Sequence, residues 1–208
     1  MRPSNAYIYY VITGPVGAYY PEGFNPIAIY VSDEYVRAVR GGVGESKTMA
    51  NYAASLYAAE MAKKKGFTQV LWLDAVERRY IEEVGTMNIF FLIGDELVTP
   101  PLTGSILPGV TRDSVIQMAG HWGITVYERL ISIDEVIGAI ESGAMKEIFG
   151  TGTAAVISPV GSISYKDESF RIGSGTVGEL SRKLYDEITA IQYGEKEDPF
   201  GWVHPVKV

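Results

Sequence analysis

Lys47 stands in the stretch GGVGESKTMANYAASLYAAEMAKKKG, residues 41–66, between a glycine-rich turn and the start of a helix. An amine becomes an imine-forming nucleophile when its surroundings lower its pKa and hold it against one carbonyl carbon. Glycines at 41, 42 and 44 allow close backbone approach, and a helix N-terminus is expected four residues on. That N-terminus disfavours an ammonium and favours a nearby anion such as phosphate. Taken alone, though, a loop lysine is most often simply solvated. Glu82 and Glu83 pose a second question. Adjacent strand residues point to opposite faces, so one carboxylate is expected in solvent and the other inward with Ile81. A buried carboxylate needs a positive partner, and a protonated heterocycle nitrogen would be one. LPGVTRD (107–113) and GTGTAA (150–155) are glycine-flanked turns dense in threonine. Both can aim backbone N–H groups at an oxyanion, and both are equally consistent with ordinary turns.

These residues must be positioned by the elements around them. AYIYYVIT (6–13) and PIAIYVSD (26–33) are rich in β-branched and aromatic residues and read as strands, with a glycine- and proline-rich loop between them. Asn51 is expected to cap the next helix, with Tyr52, Leu56 and Ala59 on its inner stripe, Lys63 to Lys65 at its negative end and Gly66 as its stop. Strands are expected at 68–74, 79–84 and 88–94, then a breaker-rich loop at 99–109. Thr111 opens a helix to about Gly120, 124–130 is a strand, and Ser132 or Asp134 caps a helix ending near Gly143. Residues 146–165 read as two strands joined through a Gly-Thr-Gly turn. Val177, Leu180, Leu184, Ile188 and Ile191 form a helical stripe that Gly194 stops. Strands and helices alternate without a regular βαβ rhythm, which predicts an α+β fold: a mixed sheet with flanking helices.

Composition excludes several functions. There is no cysteine, and His121 and His204 are the only histidines, so neither disulfides nor a thiolate or histidine metal site is expected. A formal charge of −7 argues against nucleic-acid binding. No uninterrupted apolar run reaches membrane-spanning length, and the N-terminus lacks signal-peptide character. A soluble, intracellular protein, cytoplasmic in location, is expected.

Taken in order, GGVGESKTMANYAASL, QVLWLD, EEVGTMNIFF, LVTPPLTGSILPGVTRDSVI and EIFGTGTAAVISPV resemble the branched-chain amino acid aminotransferases, pyridoxal-phosphate enzymes of fold type IV. The resemblance runs from about Tyr7 to Trp202. It implies that residues 1–14 are the last strand of a smaller N-terminal domain that is otherwise missing, 15–25 an interdomain loop, and 26–208 the large cofactor-binding domain. It further implies Lys47 as the Schiff-base lysine on C4′ of pyridoxal 5'-phosphate, Tyr52 as partner of the phenolic oxygen, and Glu83 as partner of the pyridine nitrogen with Thr86 nearby. Leu107 would pack on the ring, Val110, Thr111 and Thr153 would hold the phosphate, and Thr153, Ala154 and Tyr19 would lie at the substrate. Leucine, isoleucine and valine with 2-oxoglutarate are the implied substrates, and a homodimer or higher self-association is the implied assembly. Family members supply a phosphate-binding arginine and pocket aromatics from the smaller domain, which puts full activity in doubt for this chain. Some relatives carry Cys-x-x-Cys where Ala155 and Ser158 stand here, so a thiol switch is excluded at that place. D-amino acid aminotransferase or aminodeoxychorismate lyase fits EVGTMNIFF and ILPGVTRD less well. From a different class, the alternative is a folded, self-associating fragment without catalysis.

Overall fold

The computed structural model describes residues 2–15 and 23–206. Among them, nine strands and four helices form one mixed sheet with helices packed against it. Strand β1 (Ile27–Ser32) pairs in parallel with β2 (Gln69–Leu73) and with β8 (Val156–Tyr165), and β3 (Ile81–Val84) runs antiparallel beside β2. Strand β8 also pairs with β7 (Met145–Gly152), which pairs with β4 (Asn88–Ile93), followed by β5 (Glu96–Thr99) and β6 (Val126–Glu128). The short β9 (Glu168–Arg171) pairs with the far half of β8.

Strand β8 is the hinge of this arrangement. Residues 156–159 pair with β7, while residues 160–165 take up β1 and β9, so one strand serves both halves of the sheet. Strands β3 and β4 lie apart in the sheet order, yet only Gly85 and Thr86 separate their paired ends, Val84 and Met87. A two-residue connection between distant strands requires the sheet to curl. Gly85 supplies the φ of +57° that the tight turn demands, and a side chain there would run into Gln69.

Alternate residues of each strand serve different cores, as the period of a strand dictates. Ile29, Leu71, Ile89, Phe91, Ile148 and Ile163 fill one side, closed by Val136 and Ala139 of α3 (Ile133–Glu141). Phe90 and Phe149 stack at 5.4 Å on the opposite side, against α2 (Val110–His121) and α4 (Glu179–Gln192). Helix α1 (Met49–Lys64) covers Val70 and Trp72 through Ala58 and Ala62. Ser132 caps α3 by accepting from the Glu135 N–H, and Leu180, Leu184, Ile188 and Ile191 are buried along α4, as expected, whereas Val177, read as the first residue of that stripe, lies before the helix begins.

Several expectations are corrected. Residues 6–13 form no strand: among the described residues no backbone pairs with them, and Tyr7 to Ile12 are 71–91% exposed. β-propensity describes how a side chain fits a pleated surface and does not make a ladder without a partner. Thr48, not Asn51, is the N-cap of α1, and Asn51 lies buried inside the first turn. The buried stripe of α1 is Asn51, Ala58 and Ala62, while Leu56 is 62% exposed, because only small side chains allow the helix to approach Trp72. The Gly-Thr-Gly of residues 150–152 belongs to β7, and the turn is residues 153–155. Among the described residues no helix is long and apolar enough to cross a membrane.

Candidate active site

The loop before Lys47 is tied down at several points. Gly44 is buried against Ser105, and a Cβ there would sit 2.6 Å from the Ala38 side chain, so only glycine fits. Arg37 donates from Nη2 to the carbonyls of Gly44 (3.0 Å) and Ser105. On the other side of the lysine, Asn51 Nδ2 donates to the carbonyls of Val43 and Ser46, each at 2.8 Å. One helix side chain thus draws the loop onto the start of α1 and leaves Lys47 at the corner. Its side chain is free to reach into a cavity of about 990 Å³.

Glu83 lines the same cavity from β3 and is 2% exposed. Its Oε1 accepts from the Leu107 N–H at 2.7 Å, and its Oε2 lies 3.0 Å from Arg37 Nε. The Arg37 N–H is not aimed at that oxygen, so the contact is an ion pair rather than a hydrogen bond. Burial pushes the Glu83 carboxyl up to about 7, against the opposing pull of Arg37, the Leu107 N–H and Lys47. Lack of water outweighs one misaligned guanidinium. Glu82, expected in solvent if Glu83 turns inward, is buried too, at 6% exposure, and accepts from the Ser105 hydroxyl. A strand enclosed on both faces leaves each carboxylate little contact with bulk water.

The remaining walls come from three turns. Thr86 sits in the β3–β4 turn. Leu107 is gripped at both ends of its residue, its N–H by Glu83 and its carbonyl by Asn88 Nδ2 at 2.8 Å. Gly109 follows, close enough to the Asn88 side chain to exclude a Cβ, and α2 begins at once with Val110 and Thr111 facing the cavity. First-turn N–H groups of a helix have no intrahelical partner, and here they are presented to the cavity beside the turn at 153–155. Thr151 Oγ1 is buried in the same wall with no partner.

Lys47, Tyr52, Glu83, Thr86, Leu107, Val110, Thr111, Thr153 and Ala154 therefore all line one cavity. Tyr19 lies outside the described residues. Arg37, Asn88, Ser105 and Thr151 were not legible as site residues, and Asn51 was legible only as a helix cap. Arg37 and Ser105 are 68 residues apart and carry no spacing signature, whereas Thr151 lay in full view within GTGTAA. The donor set suits pyridoxal phosphate. An amine and a buried carboxylate share the walls, a helix start and a turn offer N–H groups, and the Thr151 hydroxyl lacks a partner. The volume falls in the usual range for small-molecule sites, about 300–1,000 Å³.

Comparison with known proteins agrees with this geometry. The amino-transferase class IV family model matches residues 2–163. Branched-chain-amino-acid aminotransferase 2 of Bacillus subtilis is 57% identical over 98% of the chain and 56% of its own length. A probable branched-chain-amino-acid aminotransferase of Staphylococcus aureus is 54% identical over 96% of the chain and 56% of its own. The chain thus spans little more than half the length of these relatives. The crystal structure of the branched-chain amino acid aminotransferase from Escherichia coli superposes with a TM-score of 0.78 at 32% identity, covering 91% of the chain and 59% of that structure. A second solved branched-chain amino acid aminotransferase, complexed with N-(5'-phosphopyridoxyl)-L-glutamate, gives 0.73 at 29% identity, covering 85% and 55%. The curled mixed sheet with flanking helices is that of these fold type IV enzymes.

Proposed function

This chain belongs to the amino-transferase class IV family, and on that footing we propose that it carries the pyridoxal-phosphate site of a branched-chain amino acid aminotransferase, with leucine, isoleucine or valine as amine donors and 2-oxoglutarate as acceptor. One observation carries the proposal: Lys47 and the buried carboxylate of Glu83 line a single cavity that also receives the start of α2 and the 153–155 turn. The branched-chain aminotransferase activity for which these relatives are named and the N-(5'-phosphopyridoxyl)-L-glutamate complex of one of the solved enzymes support it.

Pyridoxal phosphate, when bound, supplies an aldehyde that takes up an amine and a ring that spreads the negative charge left on a substrate's α carbon. Lys47 would hold that aldehyde and be released when substrate amine takes its place. Its free amine would then take the α proton as general base and return it as general acid to the former aldehyde carbon, on the far side of the nitrogen. Glu83 keeps a proton on the ring nitrogen; a cation beside it favours the ionised carboxylate and reverses the effect of burial. Tyr52 orients the ring through its phenolic oxygen, and Leu107 packs on the ring face. Val110, Thr111 and Thr153 hold the phosphate, while the Thr153 and Ala154 N–H groups receive the substrate carboxylate. Arg37, Asn51 and Asn88 hold Glu83, the loop before Lys47 and Leu107 in place through an ion pair and hydrogen bonds.

A coupled assay with L-leucine, 2-oxoglutarate and added pyridoxal phosphate tests this. Glutamate formation is expected, and Lys47→Ala should abolish it; glutamate formation that survives in Lys47→Ala would contradict the assignment. The exposed apolar residues 7–12 favour a second reading, a self-associating chain without catalysis. No glutamate from a sample that sediments as an oligomer would select it.

A further inference from the structure

A second cavity, about 330 Å³, shares no lining residue with the one that holds Lys47. Glu82 forms part of its wall. The Oε1 of Glu82 is satisfied by the Ser105 hydroxyl, but Oε2 is buried with no partner. A buried carboxylate oxygen without a donor is costly and rare, and calls for a ligand or a cation. Among the described residues no group supplies one. Asp74, also in the wall, is fully engaged, its two oxygens accepting from the N–H groups of Val76, Glu77, Arg79 and Tyr80. Arg40 lines the cavity, is exposed, and has no carboxylate in an ion pair among the described residues, although its charge is felt at Glu82. Val39, Pro100, Pro101, Ile106 and Leu130 give the wall an apolar side, while Glu77, Tyr80 and Thr103 add polar groups at other points of it.

An unpaired acceptor, an uncommitted guanidinium and an aliphatic wall define one ligand chemistry. An amine alone would leave Arg40 unmatched, and a carboxylic acid alone would leave Glu82 unmatched. The volume lies at the small end of ligand sites, about 300–1,000 Å³, which excludes a nucleotide. We propose that this cavity binds a free aliphatic α-amino acid, its ammonium on Glu82 Oε2, its carboxylate on Arg40 and its side chain against the proline and leucine wall. The ligand would sit one relay from the candidate active site. Ser105 donates its hydroxyl to Glu82 and accepts from Arg37 at its carbonyl, and Arg37 pairs with Glu83. Binding itself does not depend on the transaminase reading; only this relay does.

Isothermal titration of the cofactor-free chain with L-leucine tests the site. One equivalent is expected to bind, to the wild type and to Lys47→Ala alike, and Arg40→Ala and Glu82→Gln should each weaken it about tenfold or more. Leucinol, which has no carboxylate, should respond to Glu82→Gln but not to Arg40→Ala. Circular dichroism checks that each variant folds, and if Glu82→Gln does not, the exposed Arg40 decides the matter. Unchanged affinity in Arg40→Ala, loss of binding in Lys47→Ala, or no heat up to about 10 mM leucine would overturn the proposal. So would a crystal grown with leucine that shows only a water on Glu82. Because Lys47→Ala removes imine formation and leaves this cavity intact, the two readings fail independently.

Discussion

Glu83 and Lys47 show what residue types reveal and what they conceal. The glycines and the helix around the lysine raised the question of its role, and only the resemblance to a family assigned one. Strand alternation alone left open which of Glu82 and Glu83 turned inward, and it did not foresee that both are buried. That outcome depends on Ser105 and Arg37, which reach the carboxylates from distant parts of the chain. Glu83 has a consequence measurable without any ligand. Its carboxyl is raised from 4.5 to about 7 in the folded chain, so between those values the folded state binds a proton that the unfolded state has lost. The stabilisation is complete below about pH 4.5 and is lost as pH rises through about 7, on the order of 3 kcal/mol in all. Chemical denaturation across that window should show stability falling with rising pH, and Glu83→Gln should flatten the slope. Glu82 is raised in the same direction by its own burial, so some slope will survive in the variant. A Glu83→Gln slope equal to that of the wild type would mean that Glu83 is not the group titrating.

At the scale of elements, the long buried strands and the striped helices were readable, and their neighbours less so. Strands β5 and β9 were missed because each is only four residues long and starts with an exposed glutamate, leaving too little pattern to read. The α1 stripe misled because alanine and asparagine, not leucine, face the sheet. Helix α4 is held by a device that sequence could not disclose. Glu147 of β7 is buried, and its carboxylate accepts from the N–H groups of Leu180 and Ser181 and from the Ser181 hydroxyl. A carboxylate from a strand thereby satisfies the first turn of a helix 33 residues away and complements its positive end. Glu147→Ala should destabilise the chain by about 3 kcal/mol, since it strands two buried N–H groups and a buried hydroxyl. Urea denaturation would measure this, and a loss below about 1 kcal/mol would show that water replaces the cap.

For the whole molecule, the family fold is complete enough to assemble the cavity, while two apolar surfaces are exposed among the described residues. One is Tyr7 to Ile12, and the other is the outer face of α1, where Met49, Leu56, Tyr57 and Met61 are 40–80% exposed. Contiguous apolar surface of this kind is usually covered by another chain. Sedimentation velocity should therefore show concentration-dependent association, reduced by the double change Leu56→Glu and Tyr57→Glu. A single monomer boundary through the whole dilution series would contradict that expectation. The resemblance read from five motifs carried the fold, and nine of the residues it names line one cavity, because those motifs are the turns and strand ends that converge there. It could not show how those turns are held.

The central claim is that Lys47 is the amine that takes up the cofactor aldehyde. Mixing the chain with pyridoxal phosphate, reducing with borohydride and mapping the modified peptide by mass spectrometry tests it most directly. One phosphopyridoxyl group is expected, on Lys47, which Glu83→Gln reduces and Lys47→Ala removes. Label spread over Lys63, Lys64 and Lys65, or none at all, would contradict it.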